Sequence, residues 1–211
     1  MKTLLPCTPQ ECLIPGPAGE LEILMNCPKQ AGSLPMPYGI ICHPHPLFGG
    51  TMMNKVVYMI ASAFNTLGVG SVRFNFRGVG KSQGHFDQGE GEIQDIIAVV
   101  NWLRYEYAPS EIWLAGFSFG GYVAIRAHQE VSVNRLLLIA PAVTQQNSLQ
   151  LKNIPTLVIQ GKNDDVIPYR EVAQWVAIQV HPPLFECLPD ADHFFHGKLS
   201  ELRDIVTKAW A

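Results

Sequence analysis

Residues 114 to 121 read Leu-Ala-Gly-Phe-Ser-Phe-Gly-Gly, a Gly-x-Ser-x-Gly pattern that follows an apolar run and opens into helix-forming sequence. A serine held on a tight turn between strand and helix needs neighbours without bulky side chains, and Gly116 and Gly120 supply that room. Its hydroxyl then stands at the strand's end. Backbone N–H groups at the start of the new helix can stabilise negative charge developing on a carbonyl oxygen there. Ser118 is therefore the candidate nucleophile, with a packing serine in a glycine-rich turn as the alternative.

A serine hydroxyl is a poor nucleophile at neutral pH and needs a base, whose tautomer and charge are held in turn by a third group. Carboxylates stand directly after an apolar run in Gln160-Gly161-Lys162-Asn163-Asp164-Asp165-Val166-Ile167-Pro168. Histidines follow the last apolar run in Pro189-Asp190-Ala191-Asp192-His193-Phe194-Phe195-His196. Asp164 competes with Asp165, His193 competes with His196, and Asp192 can cap a following turn instead of serving a site. His43 and His45 add imidazoles that suit zinc or iron, but no third ligand at metal-like spacing accompanies them. No metal and no cofactor is expected.

These residues are useful only if the chain folds them together. From about Tyr38 onward, short apolar segments alternate with longer stretches of helical periodicity, the pattern of a parallel sheet covered by helices on both faces. Strands are predicted over Gly39 to Cys42, Ser71 to Asn75, Ile112 to Ala115, Arg135 to Ile139, Thr156 to Gln160 and Pro183 to Cys187. Glu11 to Ile14 and Glu20 to Asn26, parted by Pro15-Gly16-Pro17-Ala18-Gly19, read as an antiparallel opening pair, and Gly32 to Pro37 as a loop. Helices are predicted over Lys55 to Leu67, Glu92 to Tyr105, Gly121 to Gln129, Arg170 to Val180 and Leu199 to Trp210. The fold class is α/β, a doubly wound, mostly parallel sheet. Ligands bind beyond the carboxyl ends of such strands, so chemistry is expected in loops 43–54, 76–91, 116–121, 140–153, 161–169 and 188–198.

Bulk properties narrow the function classes. At 211 residues with 47% hydrophobic and 16% charged side chains, residues 1–211 fit one domain with a large core. A formal net charge of −3 and no run of Lys or Arg argue against a nucleic-acid or anionic-membrane partner. Five scattered cysteines (Cys7, Cys12, Cys27, Cys42, Cys187) lack Cys-x-x-Cys spacing and read as reduced thiols. The segment Lys2 to Cys7 is too short and proline-broken for a signal peptide, and no window is long enough to span a membrane. A cytoplasmic protein is expected.

Serine, then aspartate, then histidine, each following a strand of a parallel sheet, resembles the α/β-hydrolase superfamily across nearly the whole chain. The 161–168 segment resembles that family's acid loop and 192–193 its histidine loop, which gives Asp164 the acid role and His193 the base role beside Ser118. Cys42-His43-Pro44-His45-Pro46-Leu47-Phe48-Gly49-Gly50-Thr51 is similar to the oxyanion segment of small dienelactone-hydrolase-like serine hydrolases that carry His-Pro-His-Pro. The resemblance implies an oxyanion hole made by the Phe119 N–H and one N–H from this loop. Prolines have none, so His45 or Leu47 supplies it, His45 being favoured by position. The segment Arg73 to Ser82 resembles the family's Asn-x-Arg-Gly-x-Gly-x-Ser turn, where Arg77 is expected to anchor loops rather than bind substrate.

The expectation is a serine hydrolase that cleaves small carboxylic esters or thioesters through an acyl-enzyme. Only residues 140–153 separate two strands where this family commonly inserts a lid, so no cap domain is expected and the mouth is open. Phe48 and Phe194 are the candidate pocket residues, while Phe117 and Phe119 are expected to pack on either side of the turn. The expected partner is a small-molecule acyl ester or thioester, with no nucleic acid and no membrane, and a homodimer is allowed. The alternatives are an amidase or peptidase using the same three residues, and a catalytically silent hydrolase-like binding module.

Overall fold

Among the described residues, eight strands form one sheet in the order β1-β2-β4-β3-β5-β6-β7-β8. The computed structural model describes residues 9–28, 35–143 and 149–211. The Lys2 to Cys7 segment, part of the Gly32 to Pro37 loop and residues 144–148 of the 140–153 loop lie outside them. The strands are β1 (Gln10–Gly16), β2 (Gly19–Asn26), β3 (Tyr38–Cys42), β4 (Gly70–Phe74), β5 (Ile112–Phe117), β6 (Arg135–Ile139), β7 (Thr156–Gly161) and β8 (Leu184–Leu188). β1 runs antiparallel to β2 and β2 antiparallel to β4; every other pairing is parallel. The doubly wound, mostly parallel class with an antiparallel opening pair is therefore the observed one. Strand ends differ from expectation by at most two residues, most in β1, which runs on to Gly16, and in β5, which runs on to Phe117.

The central strands β3, β4, β5 and β7 are buried along their whole length. This explains why they read as continuous apolar runs rather than alternating ones: helices cover both faces. The helices are α1 (Lys55–Thr66), α2 (Glu90–Tyr107), α3 (Phe119–Glu130), α4 (Tyr169–Ala177) and α5 (Leu199–Trp210). α1 and α5 pack on one face, over a core that includes Phe64, Phe117, Leu137, Leu202 and Val206. α2, α3 and α4 cover the other, over Phe74, Ile96, Val123, Leu138 and Trp175.

Helix ends follow from backbone chemistry. Asn54 caps α1 by accepting from the Val56 N–H at 2.9 Å. α2 begins two residues earlier than periodicity alone suggests, because the buried Glu92 carboxylate accepts the N–H groups of Asp87 (2.9 Å) and Gly89 (2.8 Å) and so satisfies donors at the helix start. α4 ends at Ala177 rather than near Val180, where Gln179 turns in to accept from the Leu151 N–H at 2.8 Å. No helix or strand occurs among the described residues between β6 and β7, so no cap stands over the sheet there.

Chain topology reverses beside β3. The chain leaves β3 toward α1 on one face and leaves β5 toward α3 on the other, opening a crevice between the carboxyl ends of these adjacent strands. The turn after β4 is tied to α2 by Arg77, whose Nε and Nη2 donate to the fully buried Asp95 carboxylate at 3.0 and 2.7 Å; the Arg77 N–H adds a third bond at 3.0 Å. Asp95→Ala leaves a buried guanidinium unpaired and is expected to lower stability by about 3–5 kcal/mol. A urea-unfolding comparison reads this, and replacing Arg77 and Asp95 together by apolar residues is expected to recover much of the loss.

Candidate active site

The turn after β5 is made of backbone packed on backbone. A Cβ at Gly116 would run into the Gly120 carbonyl, and one at Gly120 would run into the carbonyl oxygens of Cys42 and His43 at the end of β3. The two glycines thus let α3's first turn sit directly against the neighbouring strand end. Ser118 occupies φ 55°, ψ −119°, a conformation that costs a non-glycine residue about 1–3 kcal/mol. Its surroundings hold it there: its N–H donates to the Ile139 carbonyl at 2.9 Å, and its carbonyl accepts from Gly121, Tyr122 and Ala142 at 2.9, 3.1 and 3.1 Å.

Three side chains from three loops meet at this turn. His193 Nε2 lies 3.1 Å from Ser118 Oγ, and His193 Nδ1 lies 2.8 Å from Asp164 Oδ2. All three residues are buried. The imidazole is packed against Phe117 (ring centroids 5.0 Å apart) and edge-on to Phe194 (5.1 Å). Asp164 is itself held rigidly. Its Oδ1 accepts the Val166 and Ile167 N–H groups at 2.9 and 2.7 Å, and its Oδ2 accepts the Gln160 side-chain amide at 2.9 Å. The geometry leaves the serine hydroxyl free to donate to an imidazole whose opposite nitrogen faces a carboxylate.

The competing residues sit elsewhere. Asp165 is exposed, and His196 is exposed with its Nδ1 2.6 Å from Asp192 Oδ2. Asp192 also accepts the His196 N–H at 3.0 Å, so it closes the turn after His193 rather than reaching the serine. Phe117 and Phe119 are buried in opposite cores, one on each side of the sheet. Leu47 and Phe48 are largely exposed at the mouth. Phe194 borders a cavity of about 570 Å³ shared with Gly49, Met53, Val56 and Leu199.

The loop after β3 carries the His-Pro-His-Pro segment. The buried His43 faces the Pro44 carbonyl with Nδ1 (2.6 Å) and receives the Phe76 N–H at Nε2 (3.1 Å). A carbonyl can only accept and an N–H only donate, so the proton resides on Nδ1 and the ring is a neutral bridge between the loops after β3 and β4. His45 Nδ1 accepts the Leu47 N–H at 3.2 Å, placing that ring's proton on Nε2. The Leu47 N–H is therefore engaged inside the loop. The N–H groups of His45 and of Phe119, the first residue of α3, have no acceptor among the described residues. The His45 ring packs between Phe48, Phe86 and Phe119, with centroids 4.7 to 4.9 Å away.

The turn after β4 has an architectural network. Asn75 Oδ1 accepts the Met52 N–H at 2.8 Å, while its amide donates to Glu22 at 2.8 Å, and Ser82 Oγ donates to the Asn75 carbonyl at 2.6 Å. Gly80, at φ +57°, passes so close that a Cβ would collide with the Asn75 amide and the Glu22 carboxylate. Sequence reading had assigned no part to Gln160, Glu92 or Asp95. Gln160 lies at a strand end four residues before the acid, a spacing that marks it only once Asp164 is placed. No cluster of three or more His, Cys, Asp or Glu suited to a metal occurs among the described residues.

Comparison with known proteins agrees with this frame. The family described as serine aminopeptidase, S33, matches residues 49–152. An alpha-beta serine hydrolase homologue from Coxiella burnetii is 44% identical, with a TM-score of 0.91 over 96% of this chain and 97% of that one. A protein from Xanthomonas campestris, described as a serine hydrolase without lid, is 38% identical with a TM-score of 0.90, over 98% and 95% of the two chains. An uncharacterized protein of Rickettsia prowazekii is 35% identical, covering 90% of this chain and 84% of the relative. The chain belongs to the α/β hydrolase superfamily and is a hydrolase. No helix among the described residues is long and apolar enough to cross a membrane.

Two buried histidines give the fold a defined acid sensitivity. Burial pushes the pKa of His43 down to about 4, against the pull of the Pro44 carbonyl. Burial likewise pushes that of His128 down to about 4; His128 donates from Nδ1 to the Ile125 carbonyl and accepts the Lys152 N–H at 3.2 Å. Because both folded-state values lie below the ordinary 6.5, the unfolded chain takes up more protons between these limits. Stability is thus complete above about pH 6.5 and falls as pH drops toward about 4, by about 3 kcal/mol for each histidine. Urea midpoints measured across that window are expected to decline, and His43→Gln is expected to flatten the decline; a midpoint constant through the window contradicts this account.

Proposed function

We propose that this hydrolase acts on small carboxylic esters or thioesters through an acyl-enzyme, with Ser118 as nucleophile, His193 as general base and acid, and Asp164 as the group that orients the imidazole. The observation that carries the reading is the continuous contact from Asp164 Oδ2 through His193 to Ser118 Oγ, at 2.8 and 3.1 Å, in a buried setting. His193 takes the hydroxyl proton as Ser118 attacks the carbonyl carbon, then returns it to the leaving alcohol or thiol. The imidazolium formed in between is stabilised by Asp164. Water, deprotonated by the same imidazole, releases the acid.

The oxyanion formed at each step would lie in the crevice between β3 and β5. There the free N–H groups of Phe119 and His45 are the donors, since the Leu47 N–H is already used by the His45 ring. Phe194 and Phe48 would line the acyl or alcohol side. The absence of a cap element between β6 and β7 among the described residues favours compact acyl groups, which need no cover to exclude water. Peptide cleavage is a second reading, favoured by the serine aminopeptidase description of the matching family. An aminopeptidase needs a carboxylate for the substrate's ammonium group. The buried carboxylates of Asp164, in the loop after β7, and of Glu92, in the first turn of α2, are each engaged by other donors.

Covalent labelling by a fluorophosphonate probe is expected in the intact protein and lost in Ser118→Ala. A panel of p-nitrophenyl acyl esters and aminoacyl anilides is expected to show turnover of the short-chain esters alone. Folded protein that neither takes the label nor turns over either class is a binding module instead. Asp164→Asn, which preserves size but favours the wrong imidazole tautomer, is expected to reduce kcat by about 10⁴-fold with little change in KM.

A further inference from the structure

Away from the Ser118 crevice, α1 does not pack tightly against the β2–β4 edge of the sheet. Helix and sheet are parted there by a cavity of about 1060 Å³, lined by Leu24, Asn26, Tyr58, Ser62, Asn65 and Arg73 among others. Helix–sheet gaps are normally filled by apolar side chains at near-crystalline density. Here apolar Leu24, Ala61 and Leu67 share the lining with polar side chains, and the one carboxylate in it, the exposed Glu11, is paired with Lys81 at 3.7 Å. Tyr58, Ser62 and Asn65 share one stripe of α1, and the cross-strand pairs Leu24↔Arg73 and Asn26↔Ser71 present Asn26, Ser71 and Arg73 on a single face.

Several polar atoms of this wall are unsatisfied. Arg73 Nε, Asn26 Oδ1 and Asn65 Oδ1 of the lining residues are buried without a hydrogen-bond partner among the described residues, as is Ser71 Oγ on the same sheet face. Buried donors and acceptors left unmet each cost about 1–3 kcal/mol, so three around one cavity call for a missing partner. Arg73 is the strongest case. It is 4% exposed, its guanidinium donates only to the Met52 carbonyl (3.3 Å) among the described residues, and its other neighbour is the Tyr58 ring, 5.5 Å away. No carboxylate among the described residues is paired with it. Burial draws its pKa below the ordinary value, with only the Tyr58 charge opposing. A buried guanidinium without a counter-anion is expensive unless an anion enters.

We propose that this cavity is a second ligand site, separate from the Ser118 mouth, for a small organic anion whose carboxylate or phosphate oxygens are bound by Arg73 and whose hydroxyl or amino groups donate to Asn26 and Asn65. The planar fork of Arg73 suits either oxyanion. The volume is at the upper end of sites for small metabolites. β4 and β5 are separated only by β3, so the site lies about 10 Å across the sheet from the strand that carries Ser118. Arg73 also grips the carbonyl of Met52, whose N–H is held by Asn75, which places the ligand against the same loop that carries His45.

The test is titration of the full-length protein with inorganic phosphate, selenate and acetate, followed by calorimetry and by anomalous scattering from selenate-soaked crystals. Saturable binding with selenium beside Arg73 is expected. Arg73→Gln is expected to weaken binding of all three anions, and Asn65→Leu, which replaces the acceptor on the α1 wall by an apolar isostere, binding of phosphate, whose hydroxyl can donate there, each at least about tenfold, the loss expected for one charge-assisted or buried hydrogen bond. Fluorophosphonate labelling of Ser118 is expected to be unchanged in Asn65→Leu, so failure here is distinct from failure of the esterase reading. Phosphate and selenate binding more tightly than acetate assigns a phosphoryl ligand, and the reverse order a carboxylate. Binding that is absent, or phosphate binding that survives Asn65→Leu undiminished, overturns the site; that variant decides the matter if Arg73→Gln does not fold.

Discussion

The site depends on one close approach: the first turn of α3 rests on the carbonyl oxygens at the end of β3, with no side chain between them. Only glycine at 120 permits it. The contact sets the spacing between the loop after β3 and the start of α3, where the N–H groups of His45 and Phe119 have no acceptor among the described residues. It also forces Ser118 into a positive-φ conformation, which four backbone hydrogen bonds from β6, α3 and the loop after β6 sustain. Strain in the serine is thus a consequence of that packing.

Around that contact, rigidity comes from polar groups satisfied inside the protein rather than by water. His43 joins the loops after β3 and β4 as a neutral bridge. Arg77 and Asp95 join the latter to α2, Asn75 joins it to β2 and to Met52, and Glu92 closes the start of α2. On the other side, Gln160 and two backbone N–H groups fix Asp164 before His193 meets it. Such networks are worth having only when complete, because each unmet group in low dielectric is costly. Among the described residues, the Ser118 side of the sheet meets that condition, apart from the Gln160 Oε1 atom, while the α1–β4 cavity does not. The contrast singles the cavity out.

The core elements were readable from periodicity because burial on both faces imposes uninterrupted apolar runs, and the eight strands and five helices of the described residues fall within a few residues of expectation. Their ends were less readable. The start of α2 is set by Glu92 and the end of α4 by Gln179, side chains whose partners lie in loops and not in the local pattern. The choice between Asp164 and Asp165 rested on resemblance alone until the turn geometry placed one inward and the other in solvent.

By itself the sequence determined which residues had the chemistry for a nucleophile, a base and an acid, and in what order along the sheet they stood. Those properties are local: residue type, glycine at the two positions a turn requires, and the period of apolar side chains. Only the tertiary structure decided that the His45 ring withdraws the Leu47 N–H, that Gln160 holds Asp164, and that the buried Arg73 has no counter-ion among the described residues. Each of these depends on which atoms distant segments bring within about 3 Å of one another, and hydrogen bonding is decided at that range.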